Sequence, residues 1–234
     1  YGQAANAGWL ESLDQHFDNP DLFDKNWYDL DDIFSSARSF PIWNDGESYV
    51  MSITAEAQTM FANQNMLDAV GEGVPKTFDE LLSTGKKLKS GDVAGVAMRS
   101  KADGTAGSWP GGGFVFSNGG VIIQDGKCML DSPEAIEAIH YYGTILKEAG
   151  PLGVGNYHWY ECLNDYMQEV CAIGMDSSNF ATDIENPEKS NAAGHTTYGA
   201  MVSGPGKKAK PNMWHWMAGI NSKSQQKAAA FLFL

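Results

Sequence analysis

Strand patterns and helix patterns alternate along most of the 234-residue chain, and this alternation limits the folds that it can adopt. Each strand or helix has an apolar face to bury, and alternating elements bury these faces in layers. We therefore predict an α/β fold without internal repeats or low-complexity linkers. The predicted strands cover 46–54, 95–100, 171–176, 196–203 and 213–220, the predicted helices cover 58–71, 77–91, 131–150 and 158–169, and a predicted hairpin covers 121–130.

Specific residue types mark the boundaries of these elements. Thr77, with Glu80 three residues later, is a capping-box pattern at the start of a helix. Gly71 is expected to end the helix before it, because glycine commonly follows the last helical residue. These signals predict that the two helices are separated by a short connection.

The longest helix pattern follows the predicted hairpin. The Asp-Gly pair at 125–126 suits the tight turn of a hairpin. Residues 131–150 have apolar residues at helical spacing, with an N-cap at Asp131 or Ser132 and a stop at Gly150. This stretch is the clearest helix in the sequence.

The charge balance restricts the possible partners. The chain has 16 basic and 29 acidic residues, for a formal net charge of -13, and the basic residues are scattered. Nucleic acids and anionic membrane surfaces attract basic patches, so neither is an expected partner. The sequence also has no apolar run near the roughly 20 residues that a membrane span requires.

The sequence lacks the common metal and phosphate motifs. Cys128, Cys162 and Cys171 do not have the short paired spacings of zinc or redox sites, so we expect ordinary thiols. There is no HExxH pair and no glycine loop that ends in Lys-Ser or Lys-Thr. The three aspartates of "YDLDDIF" (28–34) lack the glycine and final glutamate of a calcium loop, which favours a solvated acidic stretch at a helix start. No metal or cofactor is predicted.

Five segments occur in the order and spacing of a known family. They are "WLESLD", "GESYVMSITAEAQTMFANQNMLDAVGEGVPKTFDELL", "SNGGVIIQDGKCMLDSPEAIEAIHYY", "YMQEVCAIGMDSSNFATDIENPEKSNAAGHTTYGAMVSGPG" and "WMAGINSKSQQKAAAFLF". Together they resemble the extracellular solute-binding proteins of ATP-binding-cassette (ABC) sugar importers. The chain is similar to the maltose-binding-protein class, and within it to the branch that binds sugar alcohols and small sugars.

This resemblance implies a type II periplasmic-binding-protein-like fold, in which crossing strands join two α/β lobes and the ligand lies between them. Residues 56–212 would form the C-terminal lobe. Residues 1–55 would be part of the N-terminal lobe, and 213–234 would be the segment that returns to it. The family's opening βα units have no counterpart here, so we expect part of the N-terminal lobe to be missing and the chain to be truncated at both ends.

The resemblance also implies a function without covalent chemistry. The protein would capture a sugar alcohol or small saccharide, and contacts from both lobes would stabilise a closed form. The closed form would then be presented to the membrane permease subunits of an ABC importer. We expect a monomer with a periplasmic or other extracytoplasmic location.

Three tryptophans are candidate ligand contacts. A sugar presents apolar C–H faces and a rim of hydroxyls, so its site needs flat aromatic surfaces and planar polar groups. Strand alternation sends Trp214 and Trp216 to the same face, where they would form an aromatic wall of the cleft, and the alternative is two core tryptophans under a sheet. Trp109 occupies a loop where the family often has an aromatic contact, and the alternative is an anchor on the lobe surface.

Polar candidates follow two predicted strands. Arg99 ends a strand, and its guanidinium could donate to adjacent hydroxyls or form a salt bridge with a nearby carboxylate. Asp176 and Asn179 lie at and beyond another strand end, where ligand clefts of α/β proteins usually form. The alternative for this stretch is a helix N-cap formed by Asp176, Ser177 or Ser178.

Two further candidates come from the family resemblance. Glu56 directly follows a crossing strand, and its carboxylate could accept from two neighbouring sugar hydroxyls. It could instead be a surface glutamate that caps the helix predicted near Gln58. Phe180 resembles a family aromatic position, and a core role is equally expected.

Two other functions are compatible with the sequence. A glycoside hydrolase would need a pair of carboxylates, which Glu56 and Asp176 could supply. A lectin-like adhesion module would bind polysaccharide surfaces without closure of two lobes.

Overall fold

The computed structural model of the chain describes residues 1–104 and 107–234. Within these residues, the strands are β1 (Met51–Asn63), β2 (Ala94–Ala97), β3 (Ile123–Gln124), β4 (Lys127–Cys128), β5 (Cys171–Ser177), β6 (Thr196–Gly199) and β7 (Met213–Ala218). The α-helices are α1 (Gly2–Asn6), α2 (Asp14–Phe17), α3 (Lys25–Tyr28), α4 (Ser35–Ser39), α5 (Gln64–Val70), α6 (Phe78–Leu88), α7 (Gly112–Ser117), α8 (Pro133–Ala149), α9 (Trp159–Met167), α10 (Ala181–Ile184) and α11 (Lys227–Phe233). The predicted α/β class is confirmed.

The chain divides into two compact units. Unit 1 contains Tyr1–Ala55 and Trp214–Leu234, and unit 2 contains Glu56–Met213. The chain passes between the units within β1 and again at the start of β7, and these two strands pair with each other. Their assignment to the two lobes of a binding protein stays a prediction.

Unit 2 is built on a sheet with the strand order β2-β5-β1-β6. β2 runs parallel to β5, whereas β1 is antiparallel to both β5 and β6. Gln58 lies opposite Ser177, and Thr59 lies opposite Asp176. The carboxyl ends of β2 and β5 therefore lie at the same edge of the sheet, beside the first residues of β1 that belong to unit 2.

The main core of unit 2 lies between this sheet and the helices α6, α7 and α8. Phe78 stacks on Phe114 with 4.7 Å between ring centroids, and both rings are fully buried. The backbones of α6 and β2 approach closely, because a Cβ on Gly95 would lie 1.8 Å from the carbonyl oxygen of Gly85. Glycine at position 95 therefore permits the packing of this helix against the sheet.

The predicted helix over 58–71 is wrong in its first half. β1 continues to Asn63, and α5 begins only at Gln64. Met60 and Phe61 are buried in the strand, which is hydrogen-bonded to β5 on one side and to β6 on the other. These tertiary contacts override the local helix pattern. The predicted end of the helix at Gly71 is confirmed, with φ +69° at that residue.

The predicted strand over 46–54 also shifts. Residues 46–50 lie before β1. The turn at 43–46 is closed by a hydrogen bond of 2.9 Å from Gly46 N to Trp43 O. Gly46 adopts φ +88°, which glycine tolerates without strain. The strand thus starts at Met51, five residues later than predicted.

The predicted starts of α6 and α8 and the hairpin turn of unit 2 are confirmed, but only one of the two bonds of the capping box forms. The Thr77 hydroxyl accepts from Glu80 N at 3.2 Å, while the Glu80 carboxylate accepts from Lys76 N instead of closing the reciprocal bond to Thr77. Ser132 is the N-cap of α8 and accepts from Ala135 N at 3.3 Å. The β3–β4 hairpin turns at 125–126, where both residues have positive φ as a type I′ turn requires. The strands predicted at 95–100, 196–203 and 213–220 are present but shorter.

Unit 1 consists mainly of short helices around a small aromatic core. Leu13, Phe23, Ile220 and Phe231 are buried together, and the rings of Phe23 and Phe231 meet edge to face at 6.1 Å. The acidic stretch 28–34 lies in this unit and forms the end of α3 and a 3-10 turn. In the part of the chain described, no helix combines the length and apolarity that a membrane crossing requires.

Candidate functional site

Arg99 and Asp176 form a buried ion pair at the sheet edge of unit 2. Asp176 lies in β5 and has no exposed side-chain surface, and Arg99 follows β2 with 14% of its side chain exposed. The guanidinium donates from Nε to Oδ2 at 2.7 Å and from Nη2 to Oδ1 at 2.5 Å. Of the two roles predicted for Arg99, the structure shows the salt bridge to a nearby carboxylate.

Trp109 covers this ion pair. It belongs to a π-helical turn, Gly107–Gly111, and only 7% of its surface is exposed. Its ring lies 5.8 Å from Cζ of Arg99, within the range of a cation–π interaction. The amide of Asn212 donates to the carbonyl oxygen of Trp109 and fixes the turn. The alternative of an anchor on the surface is wrong, because the indole is buried against the guanidinium.

The surroundings of Asp176 act on its pKa in opposite directions. Burial raises the pKa of this carboxyl, while the Arg99 guanidinium, the backbone N–H of Ser177 and the indole of Trp109 lower it, and burial is the largest effect. Ser177 N donates to Oδ1 at 2.7 Å. The indole Nε1 of Trp109 is buried and has no hydrogen-bond partner of normal geometry among the described residues. Both oxygens of Asp176 are thus engaged by donors of the protein itself.

Glu56 and Asn179 form a second polar group in unit 2. Asn179 Nδ2 donates to Oε1 of Glu56 at 3.2 Å, and the Ser177 hydroxyl donates to Oε2. Glu56 is partly buried and Asn179 is exposed. The alternative role of Glu56 as a helix cap is wrong, because the chain beyond it continues as strand β1 and not as a helix.

Ser177 is the site residue that the sequence did not single out as one. Its backbone N–H donates to Asp176, and its hydroxyl donates to Glu56. The hydroxyl oxygen of Ser177 also accepts from Asn179 N at 3.4 Å, and this bond caps the 3-10 turn at Ser178–Phe180. The N-cap alternative is thus confirmed for Ser177. The available signal was its place directly after the last predicted residue of a strand.

Trp214 and Trp216 form an exposed aromatic pair in unit 1. Their exposed fractions are 51% and 57%, and their rings meet edge to face with centroids 6.2 Å apart. His215 between them is buried, stacks on Phe40 at 5.1 Å and makes a 3.0 Å hydrogen bond through Nδ1 to the hydroxyl of Ser52. The alternation predicted for β7 is confirmed, and the alternative of two core tryptophans is wrong.

Phe180 belongs to the core. It is 8% exposed and packs in a cluster with Phe61, Tyr166 and Ile184.

The seven predicted site residues form three groups. These are the buried set Arg99, Trp109 and Asp176, the accessible set Glu56 and Asn179, and the exposed pair Trp214 and Trp216. Their role as ligand contacts stays a prediction.

We expect Arg99→Met to destabilise unit 2 strongly at neutral pH. The substitution keeps an apolar side chain under Trp109 but leaves the buried Asp176 carboxylate without its counter-charge, at a cost of about 3–5 kcal/mol in the free energy of unfolding. The raised pKa of Asp176 would rise further, so the penalty is present above the pKa of an unfolded aspartate and disappears as pH falls below it. Denaturant unfolding at neutral and acidic pH measures this difference.

Asp176→Asn in the Arg99→Met background is the matched control, because it removes the buried charge and should recover much of the lost stability. An equal loss at both pH values would show that packing, and not charge, determines the effect.

Comparisons with known proteins extend these observations. The erythritol/L-threitol-binding protein of Mycolicibacterium smegmatis is 24% identical, in an alignment that covers 99% of this chain and 52% of that protein. An ABC transporter solute-binding protein from Agrobacterium radiobacter, crystallised with ribitol, matches with a TM-score of 0.86 and 23% identity over 99% of this chain and 58% of its own. One from Agrobacterium vitis with bound D-mannitol matches with a TM-score of 0.81 and 24% identity, over 99% of this chain and 55% of its own.

These structural matches show the fold, which is that of the periplasmic binding proteins. The chain spans about half the length of the relatives that it matches. The model of the bacterial extracellular solute-binding protein family matches residues 1–234. The chain therefore belongs to the bacterial extracellular solute-binding protein family.

Proposed function

We propose that this chain is part of an extracytoplasmic protein that captures a sugar alcohol or a small saccharide and delivers it to an ABC importer. The family supports the general class of function. The relatives and solved structures support the ligand class, since they include an erythritol/L-threitol-binding protein and proteins crystallised with ribitol and D-mannitol. The partners are the permease subunits of the importer, and the binding protein acts as a monomer.

The observation that carries this proposal is the exposed pair of Trp214 and Trp216. Large aromatic side chains are usually buried for most of their surface, and here two neighbours on one strand face are each more than half exposed. Their rings are rigid, apolar and flat, which suits the C–H face of a carbohydrate. Each indole also carries an N–H that can donate to a hydroxyl.

The polar group of unit 2 offers a second kind of contact that suits a carbohydrate. A carboxylate has about four lone-pair positions, so Glu56 can accept from ligand hydroxyls while it accepts from Ser177 and Asn179. The carbonyl oxygen of the Asn179 side chain adds a further acceptor. Ordering these side chains before the ligand arrives lowers the entropic cost of binding.

The glycoside hydrolase alternative loses support from the same geometry. Its carboxylate pair would be Glu56 and Asp176, but Asp176 is fully buried and both its oxygens accept from Arg99. A general acid must reach the glycosidic oxygen with its proton. The proposed protein therefore binds its ligand and releases it unchanged.

A thermal-shift screen of sugar alcohols, hexoses and disaccharides on the full-length protein tests this function. A ligand at 100 times its dissociation constant adds about 2.7 kcal/mol to the free energy of unfolding, which gives a clear rise in Tm. We expect at least one sugar alcohol or small saccharide to stabilise the protein and to be recovered unmodified. Chromatographic detection of a cleaved product would contradict the proposal.

Trp214→Ala and Trp216→Ala should each weaken ligand binding by about 1–3 kcal/mol, because each removes a large aromatic contact surface. The fold should persist, since more than half of each side chain is exposed. Isothermal titration calorimetry with the ligand from the screen measures the loss. Trp27→Ala is the matched control, because Trp27 is an exposed tryptophan of unit 1 on a different element. Unchanged affinity in both variants would exclude the pair from the site.

Glu56→Gln separates binding from hydrolysis. The amide keeps the shape of the side chain but replaces one acceptor oxygen by a donor, so we expect a loss of about 1.5–3 kcal/mol in ligand affinity, as for a hydrogen bond to a charged group. A hydrolase would instead lose turnover and keep its affinity. Calorimetry and a chromogenic glycoside assay on both proteins distinguish these results, and an unchanged dissociation constant would remove Glu56 from the site.

A further inference from the structure

Three consecutive aromatic residues mark the start of α9 in unit 2. They are His158, Trp159 and Tyr160, and the last two are 40% and 50% exposed. A single exposed aromatic side chain needs no explanation, but these three form a connected cluster. None of them was predicted as a site residue from the sequence.

The start of α9 lies at the same sheet edge as the polar groups of unit 2. The carbonyl oxygen of Tyr157 accepts from Ser100 N at 2.9 Å and from Lys101 N at 3.0 Å. These two donors directly follow Arg99, which comes after the carboxyl end of β2. The aromatic cluster therefore begins next to the segment that holds the buried ion pair.

Trp159 also connects to the accessible polar group. Its ring lies 5.8 Å from the ring of Phe180, with 42° between the planes. Phe180 is buried and directly follows Asn179, whose amide donates to Glu56. The partly exposed indole is thus anchored on the residue adjacent to the exposed amide.

The neighbours of Trp159 restrict its orientation. Tyr160 meets it edge to face with 5.4 Å between centroids and 88° between planes. His158 stacks on Tyr160 at 5.6 Å, and Nε2 of His158 lies 3.4 Å from the carboxylate of Asp103. Rigid aromatic side chains lose little conformational entropy when a ligand binds to them.

We propose that Trp159 is a ligand-contact residue of unit 2 that selects for a saccharide ring over an open-chain sugar alcohol. A pyranose presents a continuous patch of C–H groups that can lie against an indole, while its hydroxyls reach the Asn179 amide and the Glu56 carboxylate. An open-chain polyol has no such fixed apolar face and would depend mainly on the polar groups. This inference rests on the proposed function and narrows its ligand class.

Calorimetry on the full-length protein with a hexopyranose, a disaccharide and an open-chain sugar alcohol tests the proposal. Trp159→Ala should weaken binding of the ring-containing ligands by about threefold to tenfold, as expected for loss of one aromatic contact, and should change binding of the sugar alcohol less than twofold. Trp159→Leu keeps an apolar contact with Phe180 but lacks a flat face, so it should give the same selective loss. Ile139→Ala, an exposed position on α8, is the control and should change neither affinity.

The outcomes distinguish this inference from the proposed function. A wild-type protein that binds the sugar alcohol but no ring-containing ligand would overturn the inference and leave the function intact. Unchanged affinities in both Trp159 variants, or equal losses for the two ligand classes, would also overturn it. A wild-type protein that binds no carbohydrate would contradict both. Unaltered thermal unfolding of Trp159→Leu serves as the check that the variant is folded.

Discussion

Most of the candidate site in unit 2 depends on the register of β1. This strand is paired on both sides, and side chains alternate between its faces, so a slip of one residue would move Glu56 away from the Ser177 hydroxyl. Packing also favours this register. Phe61 lies opposite Gly174, where a Cβ would come within 2.0 Å of the phenyl ring. A side chain at position 174 would collide with this ring, so glycine there allows Phe61 to lie against β5 in this register.

The buried ion pair gives that edge its rigidity. A charge in the interior is costly unless it is paired and hydrogen-bonded, and Arg99 provides two donors to Asp176 in a fixed fork. Ser177 links this buried pair to the accessible surface, because its N–H donates to Asp176 and its hydroxyl donates to Glu56. The carboxylate of Glu56 is therefore oriented by groups that are themselves held by the ion pair. Such ordering is what a binding site needs to limit the entropy lost when a ligand is captured.

Local signals in the sequence predict a large part of the fold. Long-range contacts determine the part that these signals do not predict. Ser132 and the turn at 125–126 act within a few residues of their own position, so capping and turn chemistry identify them without tertiary information. β1 was misread from Gln58 onward because its strand state comes from pairing with segments more than 100 residues away. The site shows the same division. Alternation in β7 was sufficient to expect Trp214 and Trp216 on one face, whereas the burial of Asp176 under a distant arginine has no local signature.

The accessible groups differ from the buried ones in a way that bears on mechanism. Asp176 is shielded from solvent, and both its oxygens accept from donors of the protein itself, so its carboxylate organises its neighbours. Glu56 and Asn179 lie closer to the surface, and the exposed indoles offer flat apolar faces. Hydrogen-bond acceptors together with aromatic surfaces recognise the two chemical features of a carbohydrate, its hydroxyls and its C–H groups. The proposed reversible binding uses these two kinds of contact, whereas glycoside cleavage by Glu56 and Asp176 would require the buried Asp176 to give or take a proton.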